Sequence, residues 1–134
     1  MMELEALQAI HSEVRRLGAR IVTLTPEIEQ YTRDVHKKLN LRFDILTDLH
    51  LKTAEQFWLL FVLPDYLRDL YRSVGITLDR FQDEIEYRST MPARYVIDKE
   101  RIIRAADVNA DYTVRTDPAE TLRQLRTLTQ IAQK

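Results

Sequence analysis

Residues 4–28 read LEALQAIHSEVRRLGARIVTLTPEI, and this stretch decides the fold class. Leu4, Leu7, Ile10, Val14 and Leu17 step by three or four residues, which is one face of a helix. Gly18 fits the cap that ends such a helix, because glycine takes a left-handed backbone without steric cost. Arg20 to Thr25 is short and β-branched and predicts a strand. Thr25-Pro26-Glu27 then predicts a helix start: threonine caps, proline suits the first turn, and an acid suits the positive end of the helix dipole. Ile28, Tyr31, Val35 and Leu39 form the apolar stripe of that second helix, and His36, Lys37 and Lys38 sit in its last turn. Helix, strand and helix in succession make this an α/β protein.

The pattern continues outward from there. Phe43 to Leu46 predicts a second strand, and Thr47 to Leu51 a loop. Thr53 to Val74 has helical periodicity interrupted by Pro64, which predicts two helices over 53–62 and 65–74, the second ended by Gly75. In 76–90, Ile85 and Tyr87 alternate with acids, as in an edge strand. Arg94 to Asp98 and Arg101 to Ala105 predict a hairpin joined at Lys99-Glu100. Asp117-Pro118-Ala119-Glu120 opens a last helix with Leu122, Leu125, Leu128 and Ile131 on one face. The expected architecture is a three-layer α/β sandwich with a mixed sheet, its first strands parallel, closing in a hairpin and helix. The length of 134 residues suits a single domain over 1–134.

Composition narrows the function. The 45% apolar and 31% charged content is that of a globular protein with one core. A net charge of -1 provides no basic field to attract nucleic acid or an anionic membrane, so neither is expected as a partner. The apolar run Trp58 to Leu63 is far shorter than a membrane span. The polar start Met1-Met2-Glu3-Leu4-Glu5 lacks the basic region of a secretory signal, so the expected compartment is the cytoplasm. There is no cysteine, which removes disulfides, thiolate metal sites and cysteine nucleophiles together.

Other constellations favour structural roles. Asp107, Asn109 and Asp111 have the first spacings of a calcium loop, but Tyr112 stands where glycine is needed and Pro118 where glutamate is needed. They read as a polar loop before the last helix. His50 lies near Asp44 and Asp48 without a second histidine, short of the three or four ligands a metal site requires. His36 reads as a surface residue. Ser12, Ser73 and Ser89 have no nucleophile-elbow context, and two isolated glycines make no phosphate loop. Neither a catalytic residue, a metal site nor a cofactor is expected. Arg15, Arg16 and Arg20, and Arg33, Lys37, Lys38 and Arg42, are interleaved with acids and read as solvated helix faces. Phe57, Trp58, Phe61, Tyr66 and Tyr71 crowd around Pro64. They read as core packing and a lid, or as a hydrophobic interface or pocket.

Taken in order, these segments resemble the alkyl hydroperoxide reductase and thiol-specific antioxidant family, the peroxiredoxins. Leu4-Glu5-Ala6-Leu7 and Leu17-Gly18-Ala19-Arg20-Ile21-Val22 resemble its first long helix and following strand. Thr25-Pro26 stands where a Ser-Pro or similar pair opens the next helix, and Phe43-Asp44-Ile45-Leu46-Thr47-Asp48 resembles the family's "fpllsD" strand and turn. Leu63-Pro64-Asp65-Tyr66-Leu67-Arg68-Asp69-Leu70-Tyr71 resembles an insertion of a bacterial subgroup. Met91-Pro92-Ala93-Arg94-Tyr95-Val96-Ile97-Asp98 resembles the strand that thioredoxin folds enter through a cis-proline. The resemblance implies a thioredoxin-like fold.

The departures shape the functional expectation. The family's Pro-x-x-x-Thr/Ser-x-x-Cys motif and the central strand before the first helix have no counterpart here. Its active-site arginine aligns with Pro92, and its role is not transferred to Arg94. Arg101 occupies a turn position where the family often has glycine, so this turn closes differently or under strain. The chain is therefore expected to be a non-catalytic, peroxiredoxin-like interaction or scaffold module. One alternative is a shortened form of a working thiol-dependent peroxidase. Another is a small-ligand-binding protein using the cleft beside Pro92 and the aromatic group. The family's central strand lies between the strands at Ile21 and Tyr95, so its loss would expose unpaired backbone. Those strands then pair directly, or a partner supplies a strand, or the chain belongs to a longer protein. A homodimer, or another protein partner, is the expectation.

Overall fold

The computed structural model describes residues 2–62, 64–73, 88–109 and 116–132. Its helices are α1 (Met2–Ala9), α2 (His11–Arg16), α3 (Glu29–Lys38), α4 (Lys52–Gln56), α5 (Asp65–Ser73) and α6 (Pro118–Ala132). Its strands are β1 (Val22–Thr25), β2 (Asp44–Thr47), β3 (Leu60–Val62), β4 (Arg88–Thr90), β5 (Ala93–Ile97) and β6 (Ile103–Val108), with a 3-10 turn at Leu49–Leu51. The described strands pair two by two: β1 with β2, and β3 with β4 and β5 with β6 as antiparallel pairs. The chain forms two compact units, Met1–Val22 with Leu39–Asp44 and Pro92–Lys134, and Thr23–Lys38 with Ile45–Met91.

In the first unit the helical stripe of the opening stretch is buried as expected, but in two pieces. Leu7 and Val14 are core residues, and the helix breaks at Ile10, whose ψ of 1° leaves the helical region. The end of α2 follows from Gly18. At φ +78° its N–H donates to the Arg15 carbonyl, while the Ala19 N–H donates to Val14, so two carbonyls that the helix leaves open are satisfied. Leu41, Phe43, Val96 and Leu122 complete the buried set. The hairpin spans 93–108, wider than predicted, and its turn is built on Asp98. That carboxylate accepts the N–H groups of Glu100 at 2.8 Å and Ile102 at 3.0 Å and the Arg104 Nε at 2.6 Å. These donors hold the Asp98 carboxyl below its ordinary range. The register shifts between Val96 and Ile97, which leaves Arg104 as the extra residue of a bulge and turns it to Asp98. Arg101 takes φ +66°, so the turn without glycine closes in a strained left-handed conformation.

The second unit packs around Leu51, fully buried, and Ala54, with Leu59 and Leu60 against them. Asp48, 6% exposed, accepts the N–H groups of Thr53 and Ala54 at 2.9 Å each, anchoring the first turn of α4. His50 and Leu51 both take positive φ between them. The helix start predicted at Thr25-Pro26 falls later, at Glu29. The Thr25 hydroxyl instead accepts the Glu27 N–H, and the Thr47 hydroxyl donates to the Glu27 carbonyl. The helix predicted over 53–62 stops at Gln56. Trp58 turns the chain at φ +59°, and Leu60–Val62 becomes β3, paired with β4. A short apolar run lacks the length to hold a helix once an edge is available to pair with it. Helix 65–73 follows Pro64 as predicted, while the strand expected near Ile85 and Tyr87 falls outside the described residues.

Candidate cleft at the start of the C-terminal hairpin

The first unit carries an open cleft of about 300 Å³ lined by Glu3, Pro92, Ala93, Arg94, Ala106, Asp107, Val108, Asn109 and Thr116. It forms where α1, the mouth of the hairpin and the approach to α6 meet. The Asn109 N–H donates to the Pro92 carbonyl at 3.4 Å and closes the open end of the ladder. The peptide bond before Pro92 is trans, in place of the cis bond of the strand it resembles.

Alternation along β5 decides which side chain is held inside. Arg94 and Val96 share one sheet face, and Val96 is buried. Arg94 therefore meets α6. Its Nη1 donates to the Thr116 carbonyl at 2.9 Å and to the hydroxyl of the buried Thr121 at 3.2 Å, and its Nη2 donates to Glu3 at 3.2 Å. The Arg94 side chain is only 13% exposed. A guanidinium so far from water is stable only with such partners. The loop before α6 is preorganised for this. Asp117 accepts the Ala119 N–H at 2.9 Å, a helix cap that fixes Thr116 one residue earlier. Glu120 and Arg123 form an ion pair on the outer side of α6, which lowers the carboxyl's pKa and raises the guanidinium's.

Of the residues singled out in the sequence, Pro92 lines this cleft. Phe57, Trp58, Phe61 and Tyr66 belong to the other unit and are not among the described lining residues. There, Phe57 is half-buried, while Trp58 is 87% exposed and Phe61 and Tyr66 are exposed, as are their neighbours Val62 and Leu70. The Tyr71 side chain lies outside the described residues. Three contributors were not visible in the sequence: Glu3, Thr116 and Thr121 reach Arg94 across 91, 22 and 27 residues. The one local signal was a charged residue inside the otherwise apolar run of β5, which needs a partner wherever it is buried. Among the described residues no group of histidines and acids is arranged to hold a metal ion, and no helix is long and apolar enough to cross a membrane.

The chain matches the family model of the AhpC/TSA family over residues 1–106. No curated protein sequence matches it. Among solved structures it is similar to a cysteine-to-serine mutant of the peroxiredoxin 6 of Arenicola marina, in an orthorhombic crystal form. That likeness has a TM-score of 0.66 at 16% identity and covers 98% of this chain. This chain spans about half of the other, 55% of its length. The α/β architecture is therefore that of a peroxiredoxin, and with a family model matched over most of its length the chain belongs to the AhpC/TSA family.

Proposed function

We propose that this chain acts as a protein interaction module of the AhpC/TSA family and carries out no thiol peroxidase chemistry of its own. The observation that carries this reading is that none of its 134 residues is cysteine. Peroxide reduction in such a fold begins with a thiolate that attacks the peroxide, releases water or alcohol and becomes a sulfenic acid that a second thiol reduces. Serine, histidine and methionine do not run that reversible cycle. The partner we propose is a second copy of the chain. Outward-facing apolar residues support an assembly: Val22, Leu24 and Leu46 on β1 and β2 are each about half exposed. Peroxide consumption by the purified chain with dithiothreitol as donor is expected to equal the buffer rate. Light scattering at tens of micromolar is expected to give twice the chain mass. Turnover above buffer overturns the first statement, and a monomer the second.

The partial span of the solved relative favours a second reading, a shortened form of a working peroxidase. The intact mass of the protein from its native cells separates the two. A mass equal to that of the 134 residues supports the interaction module, and a larger mass accompanied by a reactive thiol supports the peroxidase.

A further inference from the structure

Arg94 and Asp107 are directly opposite each other in the β5–β6 ladder, and both line the cleft. Cross-strand partners share a sheet face with their Cβ atoms about 5 Å apart. Opposite charges so placed would ordinarily pair. Here they do not, because Arg94 is drawn toward α6 and α1 by Thr116, Thr121 and Glu3. Arg94 makes three hydrogen bonds among the described residues, two from Nη1 and one from Nη2. A guanidinium has five N–H groups, so among the described residues the Nε hydrogen and one Nη2 hydrogen have no acceptor. Asp107 is half-buried, and its carboxylate has no partner among the described residues.

The charges lining the cleft select among ligands. Among the described lining residues, Arg94 contributes one positive charge and Glu3 and Asp107 two negative ones. A simple carboxylate would meet a net negative surround, and a simple amine would leave the Arg94 donors unmet. A molecule with both an ammonium and a carboxylate satisfies both sides. Pro92 is an apolar side chain on this lining, the side chains of Ala93, Ala106 and Val108 belonging by alternation to the other sheet face, and a volume of about 300 Å³ is at the small end of ligand sites. We propose that the cleft binds a small free α-amino acid, its carboxylate on the remaining N–H groups of Arg94 and its ammonium on Asp107. This goes beyond the assembly reading and is independent of it, since a monomer binds such a ligand as well as a dimer does.

The test is a calorimetric and thermal-shift titration of the full chain with L-valine, alongside isovalerate and isobutylamine, which keep the side chain but lack the amine or the carboxylate. L-Valine is expected to bind with a millimolar or tighter Kd, and each control at least about tenfold more weakly. Asp107→Asn is expected to weaken L-valine about tenfold or more without weakening isovalerate, which loses a repelling charge. If that variant does not fold, the Arg94 Nε–H resonance of the natural chain decides. It should shift with L-valine and stay in place with isobutylamine. No L-valine binding at about 10 mM, or isovalerate binding as tightly as L-valine, overturns the proposal.

Discussion

Asp48 in one unit and Asp98 in the other do the same work in different surroundings. Each carboxylate gathers two backbone N–H groups from residues just ahead of it, and each stands beside a non-glycine residue with positive φ. Asp48 is buried beneath a helix start, with Leu51 fully buried next to it. Asp98 lies at the tip of a hairpin, where the exposed Arg104 joins the arrangement. The comparison teaches that a strained left-handed residue is tolerated wherever a carboxylate fixes the backbone around it. What differs is the cost of removing that carboxylate, because N–H groups at a hairpin tip turn to water and those under a core do not.

The sharpest way to break this comparison is Asp48→Ala. It is expected to cost about 2–3 kcal/mol, measured by urea unfolding, because two backbone donors lose a charged acceptor in a buried place. Asp98→Ala should cost clearly less in the same experiment, and an equal loss would mean that the hairpin tip is as demanding as the core. A second, smaller effect has the opposite sign. Arg101→Gly removes the steric penalty at φ +66° and is expected to stabilise by up to about 1 kcal/mol, or to be neutral where added unfolded-state freedom offsets the gain. The smallest effect is in acid. The Asp98 carboxyl is lowered from its ordinary value, so its contribution is fully present above the unfolded pKa, near 4, and fades as pH falls through the lower folded pKa. Asp98→Asn should therefore flatten the stability profile below about pH 4 and leave its slope between pH 6 and 8 unchanged.

The contrast between local and distant determinants also explains what was legible in the sequence. The helix–strand–helix opening, the hairpin and the last helix are written in spacing and caps: Gly18 ends α2 with both expected backbone bonds, and Asp117 caps α6. Residues 53–62 were misread because their apolar run fits helix and strand alike, and the choice was settled by Arg88–Thr90, a partner some 28 residues further on. Placing Arg101 at a glycine position foretold strain, and the left-handed φ is that strain. The cleft was legible only at Pro92. Glu3 and Thr121 look like ordinary helix residues until the fold brings them to Arg94.

The first unit is assembled from three separated pieces, Met1–Val22, Leu39–Asp44 and Pro92–Lys134, while every residue of the second lies between the first and the last of these. During synthesis α1 and α2 leave the ribosome early and wait for a hairpin and helix not yet made. At roughly 5–20 residues per second, that interval is on the order of 5–20 seconds. The second unit has all its residues in hand before then. The residues of the second unit are thus complete before those of the first, and the apolar stripe of Leu7 and Val14 lacks Val96 and Leu122 in the interim.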